Sequence, residues 1–359
     1  MTDLIEDMKK MKMGRRGSLG TWRQLGVVGV PVSKGQRKDG TEKGPDYLRK
    51  AGLVERLQSI GCEVTDHGDI DFYPLEDDPH HDNVKNPRNV AQGTLATADK
   101  VEQVLRTEGH CLAIGGDHSM AIGTIMGHAR VHPDMAVLWI DAHADINTPL
   151  TSDSGNIHGM PLSFLAQELD PYVPHMPGWE DIQACINCDQ IAWIGLRDVD
   201  PGESKIIDKF GLNAFCMQEV DRHGIRDVLD KALKAIDPDG NKKIHVSFDV
   251  DAMDPAHTPS TGTPVSGGLS VREISYIAEE VANTGRLSMV DIAEVNPNIG
   301  NSQDVTTTVK TTLDVIARFY GNRRRGSYRP DYAIPEVPVN VRRSSVHALS
   351  SSVIQKFAA

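Results

Sequence analysis

From residue 24 to residue 320, short apolar runs alternate with segments whose apolar residues recur at helical spacing. The runs are rich in Val and Ile: QLGVVGVP (24–31), HCLAIGGD (110–117), MAVLWIDAH (135–143), QIAWIGLR (190–197), KIHVSFDVD (243–251) and RLSMVDIAEV (286–295). Runs of this length and composition predict buried strands. CEVTDHGDI (62–70) and LNAFCMQEV (212–220) are weaker candidates. Between the runs lie helical patterns such as GPDYLRKAGLVERLQSIG, GIRDVLDKALKAI and SVREISYIAEEVANTG; in the last, Val271, Ile274, Ile277, Ala278 and Val281 mark one apolar face. Strand–helix alternation predicts a parallel sheet covered by helices. About eight strands either close a barrel or form an open three-layer sheet, and in both the chemistry belongs at the carboxyl ends of the strands. No fixed-period repeat or interior linker interrupts the pattern. The expected organisation is an N-terminal extension (1–20), one catalytic domain (21–330) and a Ser-rich C-terminal tail (331–359).

Four of these strand ends carry residues that a bland strand would not. AIGGDHS ends with Asp117 and His118, WIDAHADIN supplies Asp141, His143 and Asp145, SFDVDAMDP supplies Asp249 and Asp251, and DIAEVNP supplies Glu294. Alternate positions on an extended strand share a face, so each set is expected to aim at one spot. Carboxylates gathered that closely repel one another and take up protons unless something positive joins them. His118, Asp141, His143, Asp145, Asp249 and Asp251 offer two imidazoles and four carboxylates, which suits two divalent ions with shared carboxylates. An oxygen-dominated set without cysteine favours manganese over zinc, and two such ions yield a hydroxide near neutral pH.

Composition narrows the partners. The 359 residues carry a formal net charge of -12, which speaks against a duplex nucleic-acid binder. No apolar run reaches the ~20 residues of a membrane span. The N-terminus lacks the apolar stretch of a secretory signal, and Asp3, Glu6 and Asp7 speak against a transit peptide. A cytoplasmic home is expected, with a mitochondrial one left open. Five scattered cysteines do not make a disulfide framework, and Cys185-Ile186-Asn187-Cys188 alone is a weak zinc or redox signal beside the simpler reading of buried thiols.

GGDHS, DAHADIN and SFDVDAMDP resemble the three metal-binding signatures of the ureohydrolase family. PVSKGQ, GPDYLRKAGL, HARVHPD, INTPLTSDSGNIHG, IGLRDVDPGE, FDVDAMDPAHTPSTGTPVSGGL and AEVNP extend the resemblance, in order from about residue 24 to about 330, to the arginases of eukaryotic type. The resemblance implies a three-layer α/β/α fold with a central, mostly parallel eight-stranded sheet, two Mn²⁺ ions, and hydrolysis of L-arginine to L-ornithine and urea. It assigns one ion to His118, Asp141, Asp145 and Asp249, and the other to Asp141, His143, Asp249 and Asp251. It gives Glu294 the guanidinium, Asp145 the proton for the leaving amine and His158 the proton exchange with bulk water. Asn147 and Ser154 would take the substrate α-carboxylate, with Ser152 and Asn156 nearby; Asp200 would meet the α-ammonium, and Thr263 would also border the substrate. It also implies a homotrimer, with Arg324 paired to Asp221 and Glu273 of a neighbouring chain. The chain departs from the family pattern at Ala144 and Ser152, where Thr is usual, and at Ala252 and Met253 in place of Gly and Leu. None of these removes a ligand, and Ala144 is expected to affect packing. The rival readings are a sister ureohydrolase acting on agmatine or a guanidino acid, and a catalytically idle homologue serving as a binding partner.

Overall fold

The computed structural model describes residues 24–324. The extension 1–20 and the tail 331–359 lie outside the described residues. All eight expected strands form: β1 (Gln24–Val30), β2 (Glu63–Asp69), β3 (Cys111–Gly115), β4 (Ala136–Ile140), β5 (Ile191–Leu196), β6 (Asn213–Cys216), β7 (Ile244–Asp249) and β8 (Leu287–Ala293). They make one sheet in the order β2-β1-β3-β8-β7-β4-β5-β6, every pairing parallel. The sheet is open, with β2 and β6 as its edges, so the barrel alternative falls and the three-layer one stands.

Burial explains why two strands were weak in the sequence. Every residue of β3, β4, β5, β7 and β8 is buried, as expected of strands covered on both faces, which therefore read as unbroken apolar runs. Within β4, Leu138 and Ile140 join one core cluster while Val137 and Trp139 join the other. Edge strand β2 is half-exposed and acidic. Its Asp66 and Asp69 pair with Arg49 at 2.8 and 2.5 Å, and charge on an edge discourages pairing with another chain.

The helices are α1 (Gly44–Lys50), α2 (Leu53–Ser59), α3 (Pro87–Glu108), α4 (Met120–Ala129), α5 (Pro161–Leu165), α6 (Pro201–Phe210), α7 (Met217–Ile236, broken at Gly224), α8 (Val271–Asn283) and α9 (Ser302–Phe319). α4 is buried all round and packs closely on α3. A Cβ on Gly123 or Gly127 would lie 2.6 Å from the carbonyl oxygen of Thr94 or Ala98, so only glycine allows that approach. Cys185 and Cys188 sit against the same core, and burial pushes both thiols up to about 12, as for inert buried cysteines.

The strand order decides where chemistry can occur. β8 and β7 lie between β3 and β4. The ends of these four central neighbours therefore adjoin, at the point where consecutive strands part to opposite sides. Open α/β sheets place their ligand crevice at such a point.

Candidate metal centre and substrate cleft

The polar residues at the four central strand ends converge. His118 follows β3, Asp141 follows β4, Asp249 ends β7 and Glu294 follows β8. The pleat is not what brings Asp141, His143 and Asp145 together, contrary to the sequence expectation. β4 stops at Ile140 and the chain turns. The Asp141 carboxylate accepts from the His143 N–H at 2.7 Å, and Asp145 takes a left-handed φ of 51°. Likewise Asp251 sits in a 3-10 turn after β7, its N–H donating to the Asp249 carboxylate at 2.8 Å. Glu294 is also left-handed, with φ 67°. Such backbone costs a non-glycine residue about 1–3 kcal/mol and persists where the surroundings demand it.

Two overlapping groups form. In one, His118 Nδ1 lies 3.0 Å from Asp141 Oδ2, 3.1 Å from Asp249 Oδ2 and 3.2 Å from Asp145 Oδ2. In the other, His143 Nδ1 lies 3.4 Å from Asp141 Oδ1 and 3.2 Å from Asp251 Oδ2. Asp141 belongs to both, and each group can hold an ion. His118 Nδ1 is buried and has no hydrogen-bond partner, although three carboxylate oxygens surround it. The other nitrogen, Nε2, is bonded to Ser247 Oγ at 2.9 Å. A bare nitrogen facing three oxygens is a cavity for a cation, so these donors fit a metal. Burial pushes the Asp249 carboxyl up, and the charges of Asp251 and Asp141 push it further, as expected of crowded carboxylates lacking a counter-ion.

The floor of the adjoining cleft carries His143, Asp145 and Asp249, and its walls carry Asn147, Ser152, Ser154, His158, Asp200 and Thr263. Asn147 Nδ2 donates to Asp200 Oδ2 at 2.8 Å. Ser152 Oγ accepts from Gly155 N–H at 3.0 Å and lies 3.5 Å from Ser154 Oγ. Thr263 Oγ1 donates to Asp251 Oδ2 at 3.0 Å. Asn156 faces Lys85 Nζ at 3.4 Å rather than lining the cleft. His158 Nδ1 lies 3.2 Å from Glu294 Oε1. Burial lowers this imidazole, but the hydrogen bond and charge of Glu294 outweigh it and raise it to about 9. Asp145 is pushed up to about 6 by burial and by the charge of Asp141. Ala144 is buried in the core, and its backbone carbonyl accepts from Trp193 Nε1 at 2.9 Å.

The structure adds residues that sequence reading did not single out. Gln36 Nε2 donates to Glu294 Oε2 at 2.6 Å; it stands in the quoted PVSKGQ, but its partner is 258 positions away. Glu203 accepts from Ile146 N–H at 3.1 Å and Asp200 N–H at 2.9 Å, and is raised to about 8 by burial and then by Asp145. The Arg197 guanidinium donates to the carbonyls of Asp251, Ala252 and Val265 at 2.7–3.1 Å, tying the turn after β7 to the loop beyond it. Asp117, although beside His118, joins neither metal group. It accepts from Gly35 N–H at 2.8 Å and from Ser119, pinning the 34–36 loop to the end of β3.

The family model for the Arginase family matches residues 23–319. Human arginase-1 is 49% identical over 315 residues, covering 87% of this chain and 98% of the relative. The human protein named arginase-2, mitochondrial, is 47% identical over 306 residues, 85% of this chain and 86% of its own length. Among solved structures, the arginase from Bacillus subtilis superposes with a TM-score of 0.74 at 33% identity, covering 84% of this chain and all of that one. With its metal-capable cluster at the centre of the matched region, the chain belongs to the arginase family.

Proposed function

We propose that the chain is a binuclear manganese hydrolase converting L-arginine and water to L-ornithine and urea. The observation that carries the reading is the bare Nδ1 of His118 among three carboxylate oxygens, two of whose residues, Asp145 and Asp249, line a cleft together with Asn147, Ser152, Ser154 and Thr263. Oxygen-rich ligands with two imidazoles favour Mn²⁺. Bound divalent ions lower the pKa of water and so supply a nucleophile at neutral pH.

The protein's own groups do the rest. Glu294 stays ionised because, against burial, it accepts from His158, the His118 N–H and Gln36. An ionised, buried carboxylate pairs with the guanidinium by charge-assisted hydrogen bonds. Asp145 can take the proton released from water at its carboxylate and pass it to the departing δ-nitrogen, which leaves as the ornithine amine; urea keeps the other two nitrogens. His158, half-buried on the cleft wall, exchanges protons with bulk water. Asn147 and Ser154, with Ser152 and Asn156 nearby, hold the α-carboxylate, Asp200 holds the α-ammonium and Thr263 borders the substrate.

Urea release from arginine and agmatine, with and without Mn²⁺, tests the reading. Asn147→Ala and Asp200→Ala should each raise the KM for arginine by about 1.5–3 kcal/mol, roughly 10- to 150-fold. Agmatine, lacking the carboxylate, should be a poor substrate. Equal cleavage of agmatine refutes the arginase reading in favour of a sister activity.

The proposed assembly is a homotrimer in which Arg324 meets Asp221 and Glu273 of a neighbour. An exposed pair of this kind contributes on the order of 0–1 kcal/mol, so the interface must also bury apolar surface. Sedimentation equilibrium of wild type and Arg324→Ala measures this; a monomeric wild type refutes it. Among the described residues no helix is long and apolar enough to cross a membrane. The proposed location is cytoplasmic, with a mitochondrial one as the alternative.

A further inference from the structure

A seam of buried polar side chains runs from the metal cluster back through the sheet. Ser247 on β7 and Asp291 on β8 are paired in register, and the Ser247 hydroxyl donates to Asp291 Oδ1 at 2.6 Å. Asp291 Oδ2 accepts from Thr124 Oγ1 at 2.6 Å and is joined to His245 Nε2 at 2.8 Å. His245 Nδ1 faces His128 Nδ1 at 3.1 Å, and His128 Nε2 faces Ser288 Oγ at 2.7 Å. These residues are all fully buried.

Against burial, the hydrogen bonds Asp291 accepts hold its carboxyl below the usual range, and with it ionised one arrangement of protons on neutral imidazoles satisfies the seam. An ionised carboxylate accepts and cannot donate. His245 Nε2 therefore carries a proton toward Asp291, its Nδ1 accepts from His128 Nδ1–H, and His128 Nε2 accepts the Ser288 proton. On the other side, Ser247 has one proton and gives it to Asp291. Its oxygen is then left to accept from His118 Nε2, 2.9 Å away. That puts the His118 proton on Nε2 and leaves Nδ1 bare, facing the carboxylates of Asp141, Asp145 and Asp249.

We infer that Asp291 is a positioning residue for the metal site, setting through Ser247 which nitrogen of His118 can take an ion. The inference rests on the metalloenzyme reading above. Asp291 is absent from the cleft lining, and its contact with the metal cluster runs through two hydrogen bonds.

Asp291→Asn has nearly the same shape and tests this directly. Thr124 and His245 both donate at the Oδ2 position, so the new carboxamide keeps its oxygen there and turns its NH₂ toward Ser247. The Ser247 proton then swings to His118 Nε2, and the imidazole proton moves to Nδ1, where a metal would have to sit. Mn²⁺ titration of metal-free protein, followed by calorimetry and electron paramagnetic resonance, should show one ion retained and the other weakened roughly 10- to 100-fold. Adding Ser247→Ala to Asp291→Asn removes the misdirected hydroxyl and should regain part of the lost affinity. A merely structural role for Asp291 would make the double variant weaker than the single one, and that outcome overturns the inference. So does Asp291→Asn binding two ions as wild type does. If Asp291→Asn fails to fold, Ser247→Ala alone decides: one weakened ion supports the relay, and wild-type affinity for both ions overturns it. Wild-type protein that binds no Mn²⁺ refutes the metalloenzyme reading itself, and the relay falls with it.

Discussion

The two imidazoles proposed to hold the ions stand in opposite surroundings. His118 is fully buried, stacks on Trp139 with ring centroids 4.1 Å apart, and is bonded behind by Ser247. His143 stands on a turn, about one-fifth exposed, and its outer nitrogen lies 3.8 Å from Asp198, whose side chain is two-thirds exposed. The first ring is held by packing and a hydrogen bond, whereas the second has only an exposed carboxylate 3.8 Å from its outer nitrogen. Ligand rigidity governs how well a site holds its ion, so the inner position should be the tighter one and the outer position the one open to exchange and to the cleft.

Asp141 is where the two surroundings meet, and its loss should have the largest effect. Asp141→Ala removes the carboxylate that both groups share, so both ions should go and activity should fall by roughly a thousandfold or more. Metal analysis alongside urea release measures it; one ion retained at full affinity would show that the halves are independent. The next contrast is His118→Asn against His143→Asn in metal-free protein. The first breaks a packed, stacked site and should lower unfolding stability by about 1–3 kcal/mol, whereas the second should stay within about 0.5 kcal/mol. Denaturant titration decides, and equal losses would erase the distinction drawn here.

A smaller effect should come from the far end of the inner seam. Burial, and then the charge of His245, holds His128 well below its ordinary value of 6.5. The unfolded chain keeps that ordinary value. Above about pH 6.5 both states leave the ring neutral and its contribution to stability is complete. As pH falls below that, only the unfolded chain takes the proton, and stability drains away. Unfolding midpoints of wild type should fall from pH 7.5 to pH 5.5, and His128→Gln should flatten that slope. Identical slopes would mean that His128 is not the group responsible.

Much of this architecture was readable in the chain, for physical reasons that also mark where reading stops. The central strands announced themselves because burial on both faces demands unbroken apolar runs, and β2 and β6 were faint because they are edges. Helix α4 escaped notice because a helix buried all round has no polar face to set its period. The cluster residues were found by residue type, yet the reason first given for their convergence was wrong: turns, not a pleat, bring Asp141, His143 and Asp145 together. Backbone handedness at Asp145 and Glu294 leaves no mark on a sequence, because neither residue is glycine. Strand order is equally silent. Gln36 could not be joined to Glu294, nor Asp291 to His118, until the sheet had been assembled.

Those two left-handed residues have a consequence for anyone who would make the enzyme more heat-tolerant. At either position glycine would relieve the backbone, and a search guided by folding energy alone would choose it. Doing so would delete the carboxylate proposed to carry a proton or the one proposed to grip the guanidinium. The chain has kept acidic side chains where its backbone would rest more easily without them. Its thermal margin can therefore be widened on the exposed helices and the sheet edges, while these two positions should be left as they are.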